Sequence, residues 1–85
     1  MDNPEPLRRL IFEALDNQIK MNNPPETKAT YKRLRKLGFD DYTTKQYLGQ
    51  CLAVEIYGII TRGEEHNEER YINNLKKLPE EPFED

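Results

Sequence analysis

Cys51, His66 and Glu55 are the side chains with the most chemistry to offer: a thiol, an imidazole, and a carboxylate set against apolar neighbours. A working thiol nucleophile needs an adjacent base or a helix N-terminus to lower its pKa. Cys51 falls instead in the middle of a helical stretch, among Leu48, Leu52 and Glu55. His66, the only histidine, follows Gly63 in a loop. Cys51 therefore reads as a buried structural thiol. The run Glu64, Glu65, His66, Glu68, Glu69 gathers groups that attract cations, but it lacks EF-hand spacing and reads as a solvated loop entering a capped helix. Glu55 either pairs with a cation such as Arg8 or Arg62 or reaches solvent at the helix edge; the second reading is favoured. No nucleophile–base pair, phosphate loop or metal-ligand cluster emerges, so no catalytic residue, cofactor or metal is expected.

A second kind of chemistry is electrostatic. The segment NPPETKATYKRLRKLGF carries Lys28, Lys32, Arg33, Arg35 and Lys36 against a single acid, Glu26, in a chain of net charge -3. On a helical wheel Lys28, Lys32, Arg35 and Lys36 form one arc, Arg33 extends it, and Tyr31 and Leu34 lie opposite. Residues 28–37 hold +5 and residues 64–85 hold -5, so the charge is segregated. These five cations are the candidate face for an anion or a partner. A helix-turn-helix reading is disfavoured, because the following helix is the most apolar of the chain and offers little to base edges. Net acidity also works against phosphate binding, which draws on summed positive charge. The bland alternatives are a solvated helix face and a dock for the acidic C-terminal tail.

These residues must be positioned by a small framework. Eighty-five residues make one domain, and a domain of this size buries only about 60% of its unfolded surface. A lone cysteine excludes an internal disulfide and CxxC motifs and suggests a reducing compartment. MDNPEPLRRLIF lacks the pattern of a signal peptide. The longest near-apolar stretch, Cys51 to Ile60, is far shorter than the roughly 20 residues of a membrane span. A cytoplasmic location without membrane contact is the expectation.

Four helices follow from periodicity and punctuation. Asn3 and Pro4 start the first, in which Leu7, Leu10, Ile11, Ala14, Leu15 and Met21 recur at helical spacing opposite Arg9, Glu13, Asp16 and Lys20. Asn23, as cap, and the prolines start the second, which runs to Leu37 and stops at Gly38. Thr27, Thr30, Tyr31, Leu34 and Leu37 are its core side. An aspartate of Asp40-Asp41 caps the third and longest, from about Thr43 to Arg62, which Gly63 ends. Its main stripe is Leu48, Cys51, Leu52, Ile56, Ile59 and Ile60. A second strip, Tyr47, Val54 and Tyr57, reads as core in preference to a patch that a partner covers. Gly49 and Gly58 weaken this helix and predict close contacts with neighbouring helices. Asn67 caps the fourth, with Tyr71, Ile72, Leu75 and Leu78 inward and Pro79 at its end. No strand pattern survives. The expectation is an all-α fold: a compact four-helix domain over residues 1–78 with the third helix central, and an acidic, flexible tail over 79–85.

The stretches NNPPETKATYKRL, QCLAVEIYGIITRG and NEERYINNLKKLP, in this order, resemble the C-terminal half of an uncharacterised bacterial family of small helical domains of unknown function. The resemblance covers roughly residues 12 to 78 and implies the same helical layout. Some of those relatives carry histidines in the first and third helices, where this chain has Arg8, Phe12 and Gln46. A metal or catalytic role for such histidines is therefore not implied here.

Together these readings describe a non-catalytic module that binds a protein partner. Binding of nucleic acid or another polyanion through the second helix is the alternative. A homodimer formed through Tyr47, Val54 and Tyr57 is a third.

Overall fold

Four helices organise the described residues, 5–80, of the computed structural model: α1 Glu5–Met21, α2 Pro25–Lys36, α3 Asp41–Arg62 and α4 Glu68–Lys77. No strand occurs among them. The expected cap at Asn3 and the tail from Glu81 onward lie outside the described residues. The fold is all-α, and α3, with 22 residues, packs against all three other helices. Its core is Leu15 from α1, Leu34 from α2, Leu48 and Cys51 from α3, and Tyr71, Leu75 and Leu78 from the last element, all essentially inaccessible. Ile11, Phe12, Ile19, Tyr31, Phe39, Tyr47 and Leu52 pack around that centre.

The α1–α2 junction departs from the simple capping scheme. Asn22 adopts a left-handed φ of 54°, its N–H bonds to the Ile19 carbonyl at 3.2 Å, and the Asn23 N–H reaches the Gln18 carbonyl at 3.0 Å. This paired closure satisfies the last carbonyls of α1 and engages Asn23 in ending that helix. The cap position of α2 accordingly falls on Pro24, with no side-chain bond, and Pro25 occupies the first turn. The α2–α3 turn uses Gly38 at φ 109°, and Asp40 caps α3 by accepting from the Thr43 N–H at 2.7 Å. With Asp40 as the cap, α3 begins at Asp41, earlier than the sequence pattern suggests. Gly63, at φ 65°, ends α3, and Asn67 caps α4 by accepting from the Arg70 N–H at 3.0 Å.

Several residues expected in the core are not there. Leu7, Leu10 and Met21 of α1, Leu37 after α2, and Ile59 and Ile60 of α3 are exposed. The cause is geometric. A core that four short helices can close is narrow, so each helix buries only one side, and the far end of α3 runs beyond what α1 covers. Tyr57 is likewise exposed, whereas Tyr47 is half-buried, its ring edge-on to Phe39 at 5.1 Å.

Candidate interaction surface

The basic face of α2 is partly consumed by the fold. Arg33 turns toward the end of α4, where Nη1 donates to the Leu78 carbonyl at 2.8 Å and Nη2 to the Leu75 carbonyl at 3.0 Å. A guanidinium there gives the Leu78 carbonyl a donor, adds a second donor to the Leu75 carbonyl, which already accepts from the Leu78 N–H at 3.3 Å, and opposes the negative dipole end of the helix. Arg35 donates to the Tyr31 hydroxyl at 3.1 Å and lies 5.9 Å from that ring's centroid. Tyr31 in turn donates to Asp41 at 2.5 Å, tying the end of α2 to the start of α3. That bond is the main reason the Asp41 pKa falls below the usual carboxylate value; burial opposes it, and Lys45 and Arg35 assist. Lys32 and Lys36 are exposed, and Lys28 is half-buried. Lys28 and Lys32 line a shallow hollow of about 290 Å³ together with Asn22, Pro25 and Ala29.

Glu55 is neither at the helix edge nor paired with Arg8 or Arg62. It is 1% exposed, and its partner is Arg70, which donates from Nε at 2.6 Å and from Nη2 at 3.2 Å. The Asn67 N–H adds a bond at 2.9 Å, and His66 Nδ1 lies 3.3 Å away. Burial pushes the Glu55 pKa upward. The Arg70 bonds, the Asn67 N–H and the charges of Arg70 and His66 outweigh it and hold the pKa below the usual glutamate value. Glu64 closes the outer layer, bonded to Arg70 at 3.2 Å and to Arg62 at 2.6 Å. Gly58 adjoins this cluster: a Cβ there would lie 2.5 Å from Glu64 Oε1 and 3.2 Å from Arg70 Nη2. The space its missing side chain leaves is thus filled by charged side chains, among them Arg70 of the neighbouring α4. Gly49 does serve helix contact, since a Cβ there would meet Ile11 Cγ2 at 3.2 Å.

Cys51 is fully buried, and burial pushes its pKa up to about 12. Nearby, the buried Tyr71 hydroxyl donates to Gln18 at 2.7 Å, and Thr27 donates to the same oxygen at 2.8 Å. This network joins α4, α1 and α2. Among the described residues, no group of three or more His, Cys, Asp or Glu side chains is placed to hold a metal ion. No helix there is long and apolar enough to cross a membrane.

Of the strip Tyr47, Val54 and Tyr57, the outward side of α3 exposes only Tyr57; Tyr47 and Val54 are half-buried. Between Lys45 and Arg62 the only charged side chain is Glu55, and it is buried. The exposed strip therefore consists of Gln46, Gln50, Tyr57, Ile60 and Thr61, with Ala53 half-buried in line. Alongside its N-terminal half lies a groove of about 350 Å³ against α1, with Gly49 and Ala53 on one wall, Leu7, Ile11 and Phe12 on the other, and Arg8 at the rim. Arg8 donates to the Tyr42 hydroxyl at 3.1 Å. The chain is 34% charged, whereas this strip has no ionic side chain of its own between Lys45 and Arg62; Arg8 edges the groove, and the Arg62 guanidinium lies 5.7 Å from the Tyr57 ring centroid.

No known family model, curated protein or solved structure matches this chain. The likeness to the bacterial family stands on the quoted residues alone.

Proposed function

We propose that this chain is a small non-catalytic interaction module that docks through the outward face of α3 and the adjoining end of α1. The observation that carries this reading is the uncharged strip Gln46, Gln50, Ala53, Tyr57, Ile60 beside the apolar groove. Interface cores are depleted in charge and enriched in aromatic residues relative to ordinary surface. Leu7 and Leu10, about half exposed or more, extend the patch onto α1. A buried thiol, with an ordinary structural environment, supports the non-catalytic part of the reading. A lone free cysteine fits a cytoplasmic location.

The test is affinity capture from the native cell with tagged wild-type chain and with Ala53→Arg, which sets a cation in the middle of the strip. Capture of a protein by the wild type that the variant loses supports the module. Identical captured sets would sink it.

A second reading, binding of a polyanion by α2, is favoured by the hollow that Lys28 and Lys32 share. Arg33 and Arg35 are exposed but already hydrogen-bonded to Leu78, Leu75 and Tyr31, so this reading rests chiefly on three lysines. It requires oligonucleotide binding that falls steeply with salt and is abolished when Lys28, Lys32 and Lys36 become glutamine.

A further inference from the structure

Lys28, Lys32 and Lys36 follow one another at four-residue steps along α2. Like charges at that spacing repel and weaken a helix. Among the described residues, none of the three forms an ion pair. The one acid of this helix, Glu26, stands two residues before Lys28, a spacing at which side chains do not face each other. Lys45 and Arg62, by contrast, already have carboxylates, from Asp16 and Asp41 and from Glu64.

The end of α4 is held beside this lysine series. Arg33 falls between Lys32 and Lys36 in the chain, and its guanidinium donates to the Leu78, Leu75 and Lys76 carbonyls at 2.8, 3.0 and 3.4 Å. The Glu80 N–H then turns back to the Lys77 carbonyl at 3.0 Å. From that point the sequence is Glu80, Glu81, Pro82, Phe83, Glu84, Asp85, with four carboxylates and no cation. We infer that this acidic segment occupies the lysine face of α2 in its own molecule.

Reach and charge both support the contact. Along α2, Arg33 is about 7.5 Å from Lys28 and about 4.5 Å from Lys36, at 1.5 Å per residue. Residues 79–85 can extend over about 23 Å, so all three lysines lie within range of the anchored carbonyl of Leu78. Each exposed ion pair is weak when its partners are free. A short tether changes the balance, because it sets an effective concentration on the order of millimolar. The contact does not depend on the docking or polyanion readings above: it gives the same lysines an occupant from this chain. A polyanion approaching α2 would have to displace it.

The experiment is backbone amide relaxation and chemical-shift mapping by nuclear magnetic resonance on the full chain, at about 0.01 M and about 1 M salt, where the Debye length falls from about 30 to about 3 Å. At low salt the order parameters of residues 81–85 should exceed the value of about 0.6 that marks flexible backbone. They should drop below it at high salt, and at low salt in the combined variant Lys28→Gln, Lys32→Gln, Lys36→Gln. Neutralising the segment, as Glu81→Gln, Glu84→Gln and Asp85→Asn together, should move the amide shifts of residues 28–36 and leave those of the outward face of α3 in place. If the triple lysine variant does not fold, Lys32→Gln with Lys36→Gln decides, since both positions are exposed. Flexible order parameters for residues 81–85 in the wild type at low salt overturn the inference. So do values that ignore salt or the lysine substitutions, and shift changes that fall in the groove between α1 and α3. Order parameters that drop on dilution would place the segment on a second copy and overturn the contact within one molecule.

Discussion

Arg70 Nε donates to Glu55 Oε2 at 2.6 Å, from a side chain 8% exposed to one 1% exposed. The pair joins α3 to α4 and sits beside the core leucines, so its two halves cannot be treated as surface charges. Removing Arg70 leaves a buried carboxylate without its main partner, and such a loss costs about 3–5 kcal/mol. Arg70→Leu should therefore lower stability to urea by that order, a large part of the about 5–15 kcal/mol available to a domain. Replacing both residues, as Glu55→Leu with Arg70→Leu, removes the desolvation cost of both ions. It should recover more than half of the loss, short of wild type because the Asn67 N–H loses its acceptor. A double variant no better than Arg70→Leu would show that the coupling is not ionic.

The same carboxylate makes stability depend on acid. Its pKa is below the usual value in the folded chain, against the pull of burial, because Arg70 and the Asn67 N–H hold the charged form. Lowering on folding means that the stabilisation is complete above the free value of about 4.3 and is lost as pH falls through the folded value. Glu55→Gln should thus be much less stable than wild type at pH 7. That deficit should shrink as pH falls below about 4.3, where the unfolded chain takes up the proton, and close only below the lower folded value, where the native carboxyl is itself a protonated acid of similar shape. Chemical denaturation at a series of pH values checks this; a deficit independent of pH would contradict it.

Arg33 offers a way to separate folding from binding on the basic face. Its two bonds to the Leu78 and Leu75 carbonyls place it at the end of α4. Arg33→Ala should cost about 1–2 kcal/mol, as expected for charge-assisted bonds at a helix C-terminus. Arg33→Lys should recover only part of this, since an ammonium cannot span both carbonyls as the planar fork does. Lys32→Gln and Lys36→Gln, on exposed positions of the same helix, should change stability by less than about 0.5 kcal/mol. Thermal melts of the four variants are sufficient.

Helix existence was readable from the chain because punctuation and periodicity agreed: Gly38 and Gly63 stop helices, and Asp40 and Asn67 cap them. The cap of α2 was missed because Asn22 and Asn23 serve α1 first, a competition visible only when both helix ends are built. Exposure at Leu7, Leu10 and Ile60 was missed because periodicity reports which side a residue is on, not whether a neighbour extends far enough to cover it. Arg70 was missed as the partner of Glu55 because the loop between α3 and α4 folds residues 15 apart onto each other. A signal did exist. Arg70 shares a helix side with Tyr71 and Asn74, and a cation on a buried side needs an acid nearby. The uncharged run from Gln46 to Thr61 was likewise on view, and its meaning depended on knowing which of its sides is outward.

Thr44 tests the opposite error, a polar group the fold fails to serve. Its side chain is fully buried in the second turn of α3, and its hydroxyl finds no hydrogen-bond partner. An unmade bond leaves the desolvation cost without compensation, a matter of about 1–3 kcal/mol for a neutral group. Valine has nearly the same shape and no polar atom. Its lower helix propensity is a small term, since threonine carries the same β-branch. Thr44→Val should therefore stabilise the chain by about 1 kcal/mol, raising the urea midpoint without changing the slope of the transition. Thr44→Ser keeps the unpaired hydroxyl and deletes a buried methyl, so it should destabilise by a similar amount. If valine proves clearly destabilising instead, the hydroxyl has a partner in solution, and a buried water bridging Thr44 to the backbone would be the group to look for.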